Sequence, residues 1–235
     1  MHIAKFLCVL ITSLSAVASF AANTQVADFA LLDHTGKFHQ ASYYSDHDAI
    51  VILVESSQTL ADKRGRSALS NITALEQKDK VKVMLLSPVA NELRADLQAA
   101  INNSGHQLPA LMDETQLVMQ SLGLTQYGEV IVIDPETMNV LYQGDSTPLQ
   151  SIADLDSVTP TRDALGSAIT LRTPEPVSYS TDIAPILERN CVSCHRDGGI
   201  GPWSMSSHAM VRGWSPMMRE VVMTHRMPPG RIDAH

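Results

Sequence analysis

The sequence predicts an α/β domain, with a central mixed sheet flanked by helices, followed by a small all-α segment. Two short apolar runs, 49–54 and 81–86, are typical of buried parallel strands. The stretch 60–78 between them spaces its apolar residues at helical intervals, as a crossover helix does. Far along the chain, a different helical pattern leads directly into Cys191-Val192-Ser193-Cys194-His195. This change of pattern predicts two structural units.

Composition and charge narrow the classes of partner. The 235 residues include 17 basic and 25 acidic side chains, which gives a net charge of −8, and 44% of the residues are hydrophobic. A chain of this length can bury the core of one large or two modest domains. No basic run is present, so a nucleic-acid partner is disfavoured, because phosphate binding needs a basic face. An acidic surface favours basic redox partner proteins.

Residues 1–21 have the outline of a secretory signal peptide. A short start containing Lys5 precedes an uncharged apolar run, 6–20, that ends in small residues. The run is too short for a stable membrane span, so we expect no transmembrane segment after its removal. A buried N-terminal helix is the alternative. The signal predicts export, most simply to a bacterial periplasm.

The later elements of the α/β domain, residues 22–171, follow in order. Residues 91–102 are predicted as a helix from apolar side chains at four-residue steps. The segments 129–134 and 139–142 predict a β-hairpin across Asp134-Pro135-Glu136-Thr137-Met138. Residues 163–171 are predicted as a closing helix. The resulting order of elements is β-α-β-α-β-β-α.

This order resembles the redoxin branch of the thioredoxin superfamily. The resemblance covers residues 24–171 and rests on Ala27-Asp28-Phe29-Ala30-Leu31, Leu108-Pro109-Ala110-Leu111-Met112-Asp113 and Glu129-Val130-Ile131-Val132-Ile133-Asp134-Pro135. It implies a thioredoxin-like fold. In redoxins that perform thiol chemistry, it also implies a cysteine after the first central strand.

The chain departs from that family at the expected active site. The segment after the first central strand is Glu55-Ser56-Ser57-Gln58-Thr59, without cysteine, and Gly128 stands where a cis-proline is usual. Peroxide and disulfide chemistry need a thiolate nucleophile. Neither Ser56 nor Ser57 has an adjacent histidine in the sequence to activate it. We therefore predict a redox-inactive domain that serves in docking or as a scaffold.

The polar, proline-bearing stretch 172–178 predicts a linker to the C-terminal segment, 179–235. In that segment Cys191 and Cys194 lie three residues apart, and His195 follows directly, which is the c-type haem attachment pattern. Two thioether bonds would hold one macrocycle, and the imidazole would take an axial position on its iron. Bacteria attach such haem outside the cytoplasm, in agreement with the export signal.

Three other interpretations of the cysteine pair stay open. It is either a redox-active thiol pair, or a structural disulfide, or part of a zinc site completed by His195 or His208. A thiol redox pair usually opens a helix after a strand, whereas this one follows a helical run. The disulfide has no need of His195, and the zinc site lacks a convincing second ligand pair.

The sixth iron ligand must be a methionine or a histidine. Met227 is the leading candidate, because Pro228 and Pro229 would hold the chain extended beside it. The alternatives are another methionine, His225, His208 or an open site. The apolar face 208–225 is interrupted by Gly213 and Ser215-Pro216, which predicts two helices. Trp203 and Trp214 are predicted to pack in the core or at the haem edge.

The C-terminal segment resembles cytochromes c. A helix capped by Ser180-Thr181-Asp182 runs into the cysteine pair, as it commonly does in that family. The resemblance implies that a proline carbonyl, here that of Pro202, accepts a hydrogen bond from the unligated nitrogen of His195.

A more specific resemblance covers residues 179–235, through Gly201-Pro202-Trp203-Ser204-Met205, Gly213-Trp214-Ser215-Pro216-Met217 and Arg226-Met227-Pro228-Pro229. It is to exported proteins in which a redoxin-like domain precedes a mono-haem cytochrome c segment, often with a copper type II, ascorbate-dependent monooxygenase-like region after it. Such proteins usually continue further. We expect a piece of a longer chain, with any copper ligands past His235.

The leading hypothesis is an exported electron-transfer protein that carries one covalent haem c. A thiol-disulfide oxidoreductase using Cys191 and Cys194 is one alternative. The others are the N-terminal part of a copper monooxygenase-like enzyme fed by the haem, and a haem-based sensor with five-coordinate iron.

Overall fold

The computed structural model describes residues 25–77, 80–157 and 165–228. The predicted signal peptide therefore lies outside the described residues. Two residues of the predicted closing helix, 163 and 164, and the last seven residues of the chain are also outside them.

In the described residues, seven strands form two sheets. The small sheet pairs β1 with β2 in antiparallel fashion, and the large sheet has the order β5-β4-β3-β6-β7. The contacts β3–β4 and β4–β5 are parallel, whereas β3–β6 and β6–β7 are antiparallel, so the large sheet is mixed. The strands are β1 Ala30–Leu32, β2 Phe38–Gln40, β3 Ala49–Val54, β4 Val81–Ser87, β5 Ala110–Met112, β6 Val130–Ile133 and β7 Val140–Gly144.

Four α-helices belong to the α/β part of the described chain and two to the C-terminal segment. They are α1 Ser57–Leu60, α2 Lys63–Thr73, α3 Arg94–Asn103, α4 Leu117–Ser121, α5 Ala184–Asn190 and α6 His208–Met223. Three short 3₁₀ turns lie at Ala41–Tyr44, Leu75–Gln77 and Ile152–Ser157, and a π-helical turn, Tyr179–Ile183, leads into α5.

The core is organised around β3, whose six residues are all fully buried. Successive side chains of a strand point to opposite faces, so β3 feeds two apolar clusters. Val51 and Leu53 pack in the cluster that contains residues of α2 and α3. Ile50 and Ile52 pack in the cluster that contains Met119 of α4. Burial on both faces explains why the strand is a continuous apolar run rather than an alternating one.

The predicted parallel pair with its crossover and the predicted hairpin are confirmed, but the helices differ in detail. The predicted helix 60–78 is two helices, α1 and α2, and the predicted helix 91–102 begins at Arg94. The short elements β1, β2, β5 and α4 were not predicted, because three to five residues carry too little periodicity to be recognised.

The predicted closing helix is wrong over its described residues. Residues 165–171 are not helical, and Ala168 pairs with Gln126 in an antiparallel bridge. The amides of Gly166 and Ile169 donate to the carbonyls of Tyr127 and Thr125. These long-range bonds satisfy the backbone groups that a helix would have paired locally.

The predicted break in the last helix is also wrong, since α6 continues through Pro216. Proline lacks an N–H, so the carbonyl four residues earlier, that of Arg212, loses its helical donor. The hydroxyl of Ser215 donates to this carbonyl at 2.8 Å. The side chain next to the proline thus replaces the missing hydrogen bond, and the helix persists.

Throughout the described ranges, no helix combines the length and the apolar character needed to span a bilayer.

Candidate functional site

Cys191 and Cys194 lie on one tight turn at the end of α5. Cys191 is the residue after the last helical position, and its carbonyl accepts hydrogen bonds from the amides of Cys194 and His195, at 3.1 and 2.9 Å. Both thiols are free and partly exposed. The turn therefore presents two cysteines and a histidine together at the surface.

His195 is held by a single backbone acceptor. Its Nδ1 lies 3.0 Å from the carbonyl oxygen of Trp203. A carbonyl can only accept, so Nδ1 carries a proton, and in the neutral imidazole Nε2 keeps its lone pair. The predicted acceptor, Pro202, is corrected to the next residue, and Pro202 itself is exposed. The loop 196–202 brings the Trp203 carbonyl, rather than that of Pro202, to the ring.

The loop closes tightly on the histidine at Gly201. The Gly201 amide donates to the Cys194 carbonyl at 2.9 Å, and the Met205 amide donates to the His195 carbonyl at 2.8 Å. A Cβ at Gly201 would lie 2.7 Å from His195 Nδ1 and 2.9 Å from the Cys194 carbonyl oxygen. Only glycine fits here, so the sequence fixes the orientation of the imidazole through a backbone contact.

Two tryptophans complete this cluster. Trp203 lies against His195 with ring centroids 5.1 Å apart. Trp203 also stacks on Trp214 of α6, with ring centroids 5.3 Å apart and an angle of 14° between the ring planes. The structure thus brings together His195, Trp203 and Trp214, three of the residues singled out from the sequence. Aromatic pairs of this kind stabilise a local arrangement by about 0.5–1.5 kcal/mol beyond their burial.

The C-terminal segment leaves much of its apolar surface exposed. Within the described residues 179–228, only the side chains of Leu187 and Val211 reach the buried class among the hydrophobic residues. Ile186, Met217 and Val222 are 47%, 54% and 56% exposed. A segment of about 50 residues buries a smaller share of its surface than a larger domain does. These three apolar side chains therefore stay largely in contact with solvent.

Met227 lies beyond the end of α6. Its amide donates to the carbonyl of Val221 at 3.0 Å, and its side chain is 36% exposed. Glu220 forms an ion pair with Arg226 and accepts a hydrogen bond from the hydroxyl of Tyr43 in the α/β domain. These contacts fix the backbone around Met227 without relating it to His195. The role of Met227 as sixth ligand stays a prediction. The alternative ligand, His208, also stays a prediction, and its ring packs on that of Tyr179 with the ring centroids 4.4 Å apart.

The described residues do not assemble a metal site from protein ligands alone. Within them, no group of three or more His, Cys, Asp or Glu side chains is arranged to hold an ion. The zinc site considered from the sequence is thus not brought together.

The α/β domain carries polar groups where a redoxin has its thiol. Ser56 caps α1, with its hydroxyl accepting from the Thr59 amide at 3.1 Å. The carboxylate of Glu92 accepts from the Ser57 amide at 2.7 Å and from the Ser87 hydroxyl. An anionic side chain of the protein therefore occupies the start of α1. Sequence reasoning missed Glu92, which lies in a loop distant from α1 in the sequence.

Glu55 is the second polar group that sequence reasoning missed. Its side chain directly follows β3 and is 2% exposed. Burial raises the pKa of Glu55 to about 7, and hydrogen bonding to Thr59 and the charge of Arg64 oppose this only in part. A single acidic residue after an apolar strand carries no recognisable pattern, so only the fold reveals its burial.

Substituting Gly201 with alanine tests the closed loop. We expect Gly201→Ala to displace the His195 ring or the loop, because the added methyl group would overlap Nδ1. The yield of protein with a covalently bound chromophore should fall several-fold in an absorption spectrum. Gly213→Ala is the matched control, since a Cβ there meets no atom within 4 Å. Equal yields from both variants would contradict the steric constraint at Gly201.

The chain is similar to several proteins of known structure, at low sequence identity. No protein-family model and no curated protein matches the chain. A hypothetical protein from Sinorhizobium meliloti is similar at 18% identity, over 64% of this chain and 93% of that one, with a TM-score of 0.49. The thioredoxin domain of a thiol-disulfide oxidoreductase from Bacteroides vulgatus is similar at 16% identity. The match covers 55% of this chain and 93% of that one, with a TM-score of 0.42. A peroxidoxin from Mycobacterium tuberculosis is similar at 16% identity. The match covers 58% of this chain and 91% of that one, with a TM-score of 0.41.

The α/β domain has a mixed sheet with flanking helices, as the sequence predicts. A covalent haem and any copper region stay predictions from the chain's own residues.

Proposed function

We propose that this chain is an exported c-type cytochrome, with one covalent haem for single-electron transfer and a redox-inactive thioredoxin-like domain for docking. The observation that carries the proposal is the bond from His195 Nδ1 to the Trp203 carbonyl. It orients the ring directly after the two cysteines and leaves Nε2 as the donor atom for iron.

The residues of the segment fit a haem. Cys191 and Cys194 supply two thiols on one turn, and His195 supplies the axial nitrogen. The exposed apolar side chains of the segment would lie against the macrocycle and exclude water from it. A bound haem would supply an iron that exchanges one electron between its ferric and ferrous forms.

The α/β domain is assigned a docking role because its redoxin position holds no nucleophile. The mature chain has two cysteines, both in the C-terminal segment. At the start of α1, the Glu92 carboxylate accepts the hydrogen bond from the Ser57 amide. A domain so arranged can bind partners but cannot attack a disulfide.

Thiol-disulfide exchange by Cys191 and Cys194 is the second candidate function. It is favoured by two free, partly exposed thiols on one turn, and thiol-disulfide oxidoreductases occur among the proteins of similar fold. Reactive cysteines, however, are typically found at helix N-termini, where the helix dipole stabilises the thiolate. Cys191 follows the C-terminus of α5, and burial raises the pKa of its thiol. Both features disfavour a nucleophile.

The absorption spectrum of the full chain distinguishes the two functions. The chain would be exported in a host that has the c-type cytochrome maturation machinery. We expect a haem spectrum that survives acid-acetone extraction, and a protein mass increased by one haem. Colourless protein whose two thiols react with an alkylating reagent would overturn the proposal and favour thiol exchange.

Replacing Met227 tests the sixth ligand. In the haem-loaded protein, Met227→Ala is expected to change the ligand field and lower the reduction potential, because thioether ligation favours ferrous iron. The visible spectrum and a redox titration measure both effects, with Leu93→Ala at an exposed position of the α/β domain as the control. An unchanged spectrum would exclude Met227 and direct the search to His208 or His225. Ready binding of carbon monoxide by the unsubstituted protein would indicate an open site and a sensor.

Export to the periplasm and the copper-containing continuation are parts of the same proposal. The mass of the mature protein reports signal removal. The gene sequence after the codon for His235 reports whether copper ligands follow.

A further inference from the structure

A second cluster of ionisable side chains lies in the α/β domain, where the β1–β2 hairpin meets the 3₁₀ turn Ala41–Tyr44. His39 of β2 is 3% exposed, and both of its ring nitrogens have partners. Its Nε2 lies 2.8 Å from Oδ2 of Asp33, and its Nδ1 lies 2.5 Å from the hydroxyl of Tyr44. Asp33, His39 and Tyr44 therefore form one continuous chain of hydrogen bonds, separate from the cysteine-bearing segment.

The surroundings of Asp33 set the direction of these bonds. Its Oδ1 atom accepts from the amides of Thr35 and Lys37 at 2.8 and 3.0 Å, and from the Thr35 hydroxyl at 2.6 Å. Burial alone would raise the pKa of Asp33, but its hydrogen bonds, chiefly that from His39, outweigh burial and hold the pKa well below its ordinary value. Asp33 is thus a carboxylate, which can only accept, so Nε2 of His39 carries a proton. In the neutral imidazole, Nδ1 then accepts from the Tyr44 hydroxyl.

The phenol of Tyr44 is therefore bound to a base. Its side chain is partly exposed, and burial together with the charge of Asp33 raises the pKa of its hydroxyl, which keeps its proton at neutral pH. A phenol that loses an electron becomes a strong acid, so it is oxidised most readily where a base within hydrogen-bond reach takes the proton. His39 is such a base, and the Asp33 carboxylate would stabilise the imidazolium that forms.

The adjacent Tyr43 offers a comparison within the same turn. It is 57% exposed, so a dissolved oxidant reaches it readily. Its hydroxyl donates to Glu220, but a carboxylate is a weaker base than an imidazole. The hydrogen bond from Tyr43 and the charge of Arg226 lower the pKa of Glu220 further. Exposure therefore favours oxidation of Tyr43, whereas the strength of the bound base favours oxidation of Tyr44.

We propose that Tyr44 is a site of one-electron oxidation by organic peroxyl radicals, with His39 as the proton acceptor and Asp33 as a positioning residue. The peroxyl radical takes one electron from Tyr44, the phenol O–H bond breaks, and its proton moves to Nδ1 of His39. The reduced peroxyl anion takes a proton from the solvent and leaves as a hydroperoxide. The domain remains inactive toward disulfides, since this chemistry involves no thiol.

The test uses the mature full chain at about pH 8, where an imidazole of ordinary pKa is neutral. Peroxyl radicals are generated in air from a water-soluble azo initiator, and a nitroso spin trap captures tyrosyl radicals. Peptide fragmentation in a mass spectrometer measures how much of each tyrosine carries the trap. We expect several-fold more trap on Tyr44 than on Tyr43, despite the exposure of Tyr43. Labelling of Tyr44 should also be slower in heavy water, because the proton moves with the electron.

Three variants assign the effect to individual groups. Tyr44→Phe keeps the ring and should lose the label at this position. His39→Gln keeps a hydrogen-bonding group but has no base, so labelling of Tyr44 should fall at least about tenfold. Tyr43→Phe is the matched control and should leave the labelling of Tyr44 unchanged. The heavy-water comparison needs no substitution, so it decides the outcome even if His39→Gln fails to fold.

The proposal would be overturned by more label on Tyr43 than on Tyr44, by equal rates in ordinary and heavy water, or by unchanged labelling in folded His39→Gln. Each of these results would leave the chain of hydrogen bonds with a structural role only. The label is read at Tyr43 and Tyr44 alone, so haem attachment and this proposal stand or fall separately.

Discussion

Replacing Cys191 and Cys194 together with serine is expected to abolish covalent attachment of haem. Each thioether bond needs one of these thiols, and no other cysteine follows the predicted signal peptide. Protein exported with the maturation machinery should then lack the haem spectrum after acid-acetone extraction, and its mass should equal that of the polypeptide. The single variants should retain one bond, with a lower yield.

Ser193→Ala is the matched control, because Ser193 lies between the two cysteines and is exposed. Its haem content should equal that of the unsubstituted chain. His195→Ala separates attachment from ligation, since it keeps both thiols and removes the axial nitrogen donor. Covalently held haem in the double serine variant would show that the two cysteines are not the attachment points.

Replacing Glu55 with glutamine is expected to remove a large pH dependence of stability. Folded Glu55 keeps its proton up to a pKa of about 7, whereas the ordinary pKa, which applies to the unfolded chain, is 4.5. Between these values the folded protein binds more protons than the unfolded chain, so the free energy of unfolding falls as pH rises through this window. The loss above pH 7 is about 3 kcal/mol, at about 1.4 kcal/mol per pH unit.

Glutamine cannot ionise, so Glu55→Gln should not suffer this loss. Urea unfolding measured from about pH 4 to pH 8 gives the difference in stability between the two proteins at each pH. That difference should grow in favour of the variant to about 3 kcal/mol above the folded pKa. Glu136→Gln, whose side chain is exposed, should track the unsubstituted protein. Parallel curves for Glu55→Gln and the unsubstituted chain would contradict a raised pKa.

Long apolar runs made the centre of the fold predictable. The residues of β3 are buried on both faces, and this leaves a continuous apolar signature in the sequence. The pairing of Ala168 with Gln126 leaves no such signature, because a bridge between distant segments depends on the whole fold. Helix α6 was mispredicted for a local reason, since the hydroxyl of Ser215 offsets the effect of Pro216.

The cysteine pair with His195 and the buried Glu55 differ in how far the sequence reveals them. The cysteines and His195 are adjacent in the chain, so their spacing alone indicates their chemistry. The acceptor for His195 was predicted in the correct loop but one residue early, because the path of a loop is not encoded in spacing. The burial of Glu55 depends on segments from several parts of the chain, and no local pattern predicts it.

The position of Glu92 limits how this domain could acquire thiol chemistry. A cysteine introduced at position 57 would stand next to a carboxylate that already accepts the local backbone amide. Like charge would raise the pKa of such a thiol and keep it protonated. Introducing peroxidase or reductase chemistry here would therefore take at least two coordinated substitutions, one that adds sulfur and one that removes the competing anion.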